Sequence, residues 1–191
     1  MDSTPRQVDA EKEIATGRCG DWMQTVSGRA FWPLDPRPED ISIRDIAHAL
    51  GMICRFGGHT KRFYSVAEHS WHVSHIVPPE HALSGLLHDA TEAYIGDMIR
   101  PLKNQVQQFA DVEDNVWSAI CVKFHLPYGM DPSIKAADNA ILLTERDQLL
   151  AKPPIPWHWA EGLTPAPRKL HCWTPSEAAP MFLKRFRELT E

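Results

Sequence analysis

His88 and Asp89 stand side by side in the segment LSGLLHDATEAYIGD. Adjacent side chains on a helix diverge by about 100° around its axis, yet two metal-binding groups there can still converge on one ion if the helix edge faces a cavity. An apolar helix face gains nothing from a buried His-Asp step unless a partner compensates its polarity, and a metal is the simplest such partner. Two further candidates lie at useful distances: His69 in SVAEHS upstream and Asp138 in IKAADNAILL downstream. Two imidazoles and two carboxylates suit a divalent transition metal with room left for water; zinc, manganese, cobalt, iron and nickel all meet that description. An open coordination position lowers the pKa of bound water and presents a nucleophile to phosphorus near neutral pH. A purely structural zinc site fits less well, because such sites usually saturate the metal with Cys and His.

Other residues are spaced to serve the same cavity. Glu92 follows His88 by four residues, one helical turn onward on the same face. A carboxylate there can orient a water or act as general acid or base. Asp97, just past Gly96, reads either as a helix-end turn residue or as a second polar contact in the site. Positive charge for an anionic substrate comes from Arg55 and Lys103 first, then from His59, Lys61 and Arg62 in the loop GGHTKRFY, and from Lys135. A guanidinium grips phosphate bidentately, while a lysine acts as a point charge. Phe56 reads equally as a base-stacking ring or as a helix-end core residue. His72 and His75 continue from His69 at three-residue steps but rotate off its face, so they read as packing or surface residues. Trp157 and Trp159 read as anchors for a proline-rich arm.

The elements that must carry these groups are mostly helical. MQTV-SG-RAFW reads as two short strands around a turn. A first core helix opens near Ser42 with Asp45 as a capping partner, and is expected to end near Arg55-Phe56, before Gly57-Gly58. Ser65 and Glu68 form an S-x-x-E capping box for a helix to about Val77. Pro79 can open the next helix, spanning about 80–95, and Gly96 stops it. A further helix is expected from about Asn104 to Phe124, and another from Asp131-Pro132 through Leu150. Each of the four candidate ligands thus falls well inside an expected helix. PPIPWHWAEGLTPAPRK is too rich in proline for regular structure, and Thr174-Pro175-Ser176-Glu177 opens a terminal helix. Residues 1–18 are polar and read as loosely held or as a short helix. The expectation is an all-α domain over residues 1–191: a helical bundle with a small N-terminal β-hairpin and an irregular arm before a C-terminal helix.

Composition narrows the function. The chain has 191 residues, 43% of them hydrophobic, with a net charge of -5. That length buries a substantial core without staples. The acidic balance offers no large basic field for duplex nucleic acid or an anionic membrane. Cys19, Cys54, Cys121 and Cys172 are widely separated and form no C-x-x-C pair, so free thiols are expected. No segment has the length of a membrane span, and no apolar signal core opens the chain. A soluble cytoplasmic protein is the expectation.

These residues resemble the HD-domain phosphohydrolase superfamily, whose pattern is H…HD…D on a helical bundle. The resemblance runs from about Trp22 to Leu150, leaving residues 151–191 outside the shared core. More narrowly, RF followed by a loop and SVAEHS, then HDATEAYIGD and KAADNAI, look like the 5′-deoxynucleotidase branch, and are similar to phage dATP triphosphohydrolases. The resemblance implies a metal held by His69, His88, Asp89 and Asp138, a phosphate-binding Arg55, a catalytic Glu92, and an Asp97 that helps place substrate or water. It implies a metal-dependent phosphohydrolase of deoxynucleotides, mono- or triphosphate, in which metal-bound water attacks phosphorus. The alternatives are a phosphodiesterase acting on a cyclic or oligomeric nucleotide, which needs a wider, two-ended groove, and a nucleotide-binding module without turnover. Pairing through outer helix faces is common in the superfamily, which leaves a homo-oligomer open by analogy.

Overall fold

The computed structural model describes residues 17–191, so the expectation for the polar N-terminus lies outside the described residues except at its last two positions. Strands β1 (Met23–Gln24) and β2 (Ala30–Phe31) pair antiparallel with Met23 opposite Phe31. The hairpin is shorter than the sequence suggests. Its turn reverses at Gly28, whose φ of 80° favours glycine. Its tip is pinned by Asp45, which accepts hydrogen bonds from the Ser27 N–H at 2.9 Å and the Ser27 hydroxyl at 2.8 Å. Asp45 therefore docks the hairpin rather than completing a helix cap.

Helix α1 (Ile43–Met52) buries Ile46, Ala47 and Leu50 on one stripe. It stops short of the expected Arg55-Phe56 because the chain pairs with the segment before the next helix. The Arg55 N–H donates to the Tyr64 carbonyl at 2.9 Å, and the Val66 N–H to the Ile53 carbonyl at 3.1 Å. Helix propensity loses there to a long-range backbone bridge. Residues Arg55–Gly58 then form a tight 3-10 turn.

Helix α2 (Val66–Ile76) is the spine of the molecule. Val66 and Ala67 enter one apolar cluster with Phe31, Leu50, Leu86, Leu87, Ile120 and Phe182, whereas Val73 and Val77 enter a second with Tyr64, Ile134, Ile141, Leu149 and Leu170. The Ser65 hydroxyl accepts from the Glu68 N–H at 3.1 Å, which is half of the expected capping box. The other half is missing because the Glu68 carboxylate turns to the far end of the chain. It accepts from the backbone N–H groups of His171, Cys172 and Trp173 at 2.6, 2.9 and 2.7 Å.

The helix expected over 80–95 is broken. Helix α3 covers Ala82–Leu87 and α4 covers Glu92–Ile95. Between them the backbone tightens to three-residue spacing, with the Ala90 N–H donating to Leu87 at 2.9 Å and the Glu92 N–H to Asp89 at 3.1 Å. The His88 ring contacts the Gly85 carbonyl at 2.9 Å, the group an α-helix would offer to the Asp89 N–H. His88 and Asp89 thus sit on a wound-up turn at the end of α3, not inside a helix.

Helix α5 (Arg100–Lys103) forms its own short turn, which delays α6 to Gln107–Phe124. Helix α7 (Pro132–Leu149) starts where expected, with Asp131 accepting from the Ser133 N–H at 2.8 Å. The proline-rich arm runs along α7. Its Ala166 exchanges hydrogen bonds with the Ala140 carbonyl (2.9 Å) and the Thr144 hydroxyl (2.7 Å). Helix α8 (Pro175–Thr190) opens with a complete Thr174–Glu177 capping box and packs on α1, α2 and α3. All four cysteines are free. Among the described residues no helix is long and apolar enough to cross a membrane.

Candidate metal centre

Three structural units converge on one point. His69 projects from the middle of α2, His88 and Asp89 from the turn after α3, and Asp138 from α7. His69 Nε2 lies 3.3 Å from His88 Nε2, 3.5 Å from Asp89 Oδ2 and 3.4 Å from Asp138 Oδ1. His88 Nε2 lies 3.2 Å from Asp89 Oδ2. All four sequence-predicted ligands are therefore gathered, and one atom each of His69, His88 and Asp138 lies within 4.8 Å of the others.

The protonation pattern fits a cation. His69 Nδ1 faces Glu145 Oε1 at 2.6 Å, and His88 Nδ1 faces the Gly85 carbonyl at 2.9 Å. A carbonyl and a carboxylate can only accept, so both Nδ1 atoms carry hydrogen and donate. In the neutral imidazoles both Nε2 lone pairs then point at each other and at carboxylate oxygens, an arrangement that needs positive charge at its centre. A proton can meet that need. Burial and the Arg55 charge push the His69 imidazole down, but Glu145 and Asp138 outweigh them and hold it up at about 9. Asp89 and Asp138 stay well below the usual carboxylate range: burial opposes ionisation, and the neighbouring histidines overcome it. A buried set of two imidazoles and two ionised carboxylates, with both imidazoles held by their far nitrogens, is the donor set a divalent transition metal takes.

Glu145 is the site residue that the sequence reading missed. It is fully buried and joins two partners, taking the His69 Nδ1–H on one oxygen and the Arg55 Nε–H at 3.1 Å on the other. Its carboxyl lies below the ordinary range, since Arg55 and His69 outweigh its burial. The signal was present: Glu145 follows Asp138 by seven residues, two turns along the same face of α7.

Arg55 is a wall of the site. Besides Glu145, its Nη1 approaches Asp89 Oδ2 at 3.7 Å, and its Nη2 makes no hydrogen bond among the described residues. Phe56 is not a helix-end core residue; it takes a left-handed φ of 56° in the tight turn and lies under the Arg55 guanidinium at 5.5 Å. Glu92 and Asp97 both feel the charges of Asp89 and Arg55. Burial first, then Asp89 and Asp97, push the Glu92 carboxyl far up, and its buried Oε2 has no hydrogen-bond partner among the described residues.

A cleft of about 370 Å³ opens beside His88, Asp89 and Asp138, walled by Thr91, Lys103, Glu113 and Lys135. That volume suits a small ligand. Both lysines already hold carboxylates: Lys103 reaches Glu113 at 2.6 Å and Lys135 reaches Asp138 at 2.6 Å. His59, Lys61 and Arg62 are exposed, and none makes an ion pair or hydrogen bond with the cluster. The Lys61 N–H instead ties the loop to the Leu149 carbonyl at 2.9 Å. His72 is buried against Glu68, 3.7 Å away, and stacks on His171, while His75 lies tilted against Trp71 at 4.0 Å.

Fold and site together define a helical protein with a buried two-histidine, two-carboxylate centre at the meeting of three helical units. No family model matches the chain. It is 39% identical over 172 residues to the uncharacterized protein YfdR of Escherichia coli, covering 89% of this chain and 96% of that one. It is 37% identical over 142 residues to an uncharacterized protein of Rhodobacter capsulatus, covering 67% and 72%. The chain belongs to the YfdR family.

Proposed function

We propose that this protein is an HD-type, metal-dependent phosphohydrolase acting on deoxynucleotides, mono- or triphosphate. The observation that carries the reading is the convergence of His69, His88, Asp89 and Asp138, with Glu145 orienting one imidazole and a protonatable Glu92 alongside. A divalent metal bound by those four residues would supply Lewis acidity to a water and a phosphoryl oxygen.

The chain's own groups account for the rest. Arg55, fixed by Glu145 and with Nη2 unengaged, offers a rigid guanidinium to the substrate phosphate. Lys103 adds charge at the cleft wall, where Glu113 holds it in place. Glu92 keeps a proton above the usual carboxylate range and can deliver it to a leaving oxygen. Asp97, also raised by burial, lies beside it and sets its field. The cleft volume suits one nucleotide rather than an oligomer, which disfavours a phosphodiesterase acting on oligomers and leaves the cyclic-nucleotide case to the substrate screen.

The test is turnover of deoxynucleoside monophosphates, triphosphates and cyclic nucleotides by metal-replete protein, with phosphate, pyrophosphate and triphosphate resolved as products. Release of one of these from a deoxynucleotide, lost on chelation and in Asp89→Ala together with bound metal, is expected. Full activity after exhaustive chelation would sink the proposal.

A further inference from the structure

The proline-rich arm reaches the rim of the metal centre. Its backbone is fastened to α7 through Ala140, Thr144 and Gln148, the turns that follow Asp138 on the same helix. Upstream on the same arm the rings of Trp157 and Trp159 stack at 5.7 Å. Arg146 from α7 lies over Trp157 at 5.6 Å, closing one end of the pair. At the other end the Arg100 guanidinium lies over Trp159 at 5.3 Å, and the same guanidinium reaches Asp138 Oδ2 at 3.8 Å. One arginine therefore spans from a metal-ligand carboxylate to an indole face. Both partners are open to solvent: Trp159 is 46% exposed and the Arg100 side chain 47%. An arm anchor has no need of an exposed indole bridged to Asp138.

We propose that Trp159 is the stacking platform for the nucleobase, and that Arg100 exchanges its place over the indole for a contact with the substrate phosphate. A nucleobase is flat and π-faced, so it can occupy the face the guanidinium now covers. Arg100 already sits beside the carboxylate around which the phosphate would bind, so the exchange needs only a side-chain rotation. This assigns the ligand class as nucleoside phosphates rather than simple sugar phosphates. It rests on the phosphohydrolase reading for the phosphate's position, but its own readout is binding.

The experiment measures equilibrium binding of a deoxynucleoside monophosphate and of 2-deoxyribose 5-phosphate, which lacks the base, to metal-loaded wild type, Trp159→Ala and Trp159→Phe. Loss of a stacking ring should weaken nucleotide binding roughly tenfold in Trp159→Ala. Trp159→Phe should restore most of it, and binding of the sugar phosphate and metal content should not change. Unaltered nucleotide binding in Trp159→Ala overturns the proposal. So does an equal loss for both ligands, which would make Trp159 a brace for the arm. Wild-type protein that binds nucleotide through Trp159 but hydrolyses none would defeat the phosphohydrolase reading and leave the platform standing. Absence of nucleotide binding to wild type would remove both.

Discussion

At the residue scale the centre is built in two layers. His69 is held by Glu145, and Glu145 is held by Arg55, so one buried carboxylate fixes both an imidazole and the guanidinium wall. Carboxylates behind a ligating histidine typically contribute 10–100-fold to metal affinity. Glu145→Gln is therefore expected to weaken metal binding by about that factor while helix content by circular dichroism is retained; competition against a chromophoric chelator measures it, and unchanged affinity would exclude the role. Glu92→Ala has a different expected signature. It should keep its metal and lose about 10²–10⁴ in kcat, because a proton-transfer group is removed without touching the ligands. Loss of metal in that variant would move Glu92 into the coordination sphere. The four residues that meet at the centre were legible in the sequence because a His-Asp step is costly in an apolar segment. The fate of the cations was not. Lys103 and Lys135 were read as phosphate contacts, and both are found holding Glu113 and Asp138. Lys103 meets Glu113 because α5 folds back onto α6, which no local spacing carries, whereas Lys135 and Asp138 lie three residues apart on α7, a pairing that helical spacing offered and the sequence reading did not draw.

At the element scale the helices themselves were legible from apolar periodicity and caps, as at Asp131 and Thr174. Three of the misread positions share one cause: a long-range partner took a group that local rules had assigned nearby. The break after Leu87 is local, with the Gly85 carbonyl facing the His88 ring three residues on, but Asp45 went to the hairpin, Arg55 to the Tyr64 bridge, and Glu68 to the residues leading into α8. The last of these is testable. Three backbone N–H groups from His171 to Trp173 end on one buried carboxylate in helix α2, which also carries His69. Burial opposes the Glu68 charge, but His72 and those N–H groups outweigh it and hold the carboxyl below its ordinary 4.5. Just below 4.5 the unfolded chain takes up a proton that the folded chain refuses, so stability rises with pH in that window. The latch's contribution is complete above 4.5 and fades as pH falls through the lower native value. Glu68→Gln cannot carry the charge, and hydrogen bonds to charged groups contribute about 1.5–3 kcal/mol. The variant should melt lower at neutral pH, with the difference from wild type shrinking below pH 4.5; a constant difference down to strong acid would show that the carboxylate charge is not what closes the arm.

For the whole molecule, the centre joins α2, the turn after α3, and α7, whose apolar faces belong to two separate clusters bridged by α2. A cation bound there links both clusters through side chains, and any ligand that binds only the folded state stabilises it by mass action. At a hundredfold excess over its Kd the gain is about 2.7 kcal/mol, or roughly 5–10 °C in Tm for a chain of this size. The gain should itself depend on pH. His69, held up at about 9 from an ordinary 6.5, stabilises the metal-free protein fully below 6.5, and that contribution is lost as pH rises towards 9. Metal binding requires the neutral imidazole, so its affinity increases over the same interval. The two effects act in opposite directions on the two forms. The Tm difference between metal-loaded and metal-free protein is thus expected to widen steadily from pH 6.5 to 9. Asp138→Ala should flatten the difference to zero at every pH, because it removes a ligand and one of the charges that raise His69. Calorimetric melts with and without chelator across that range decide it: a gap that stays constant with pH would mean that proton and metal do not compete for the same histidine.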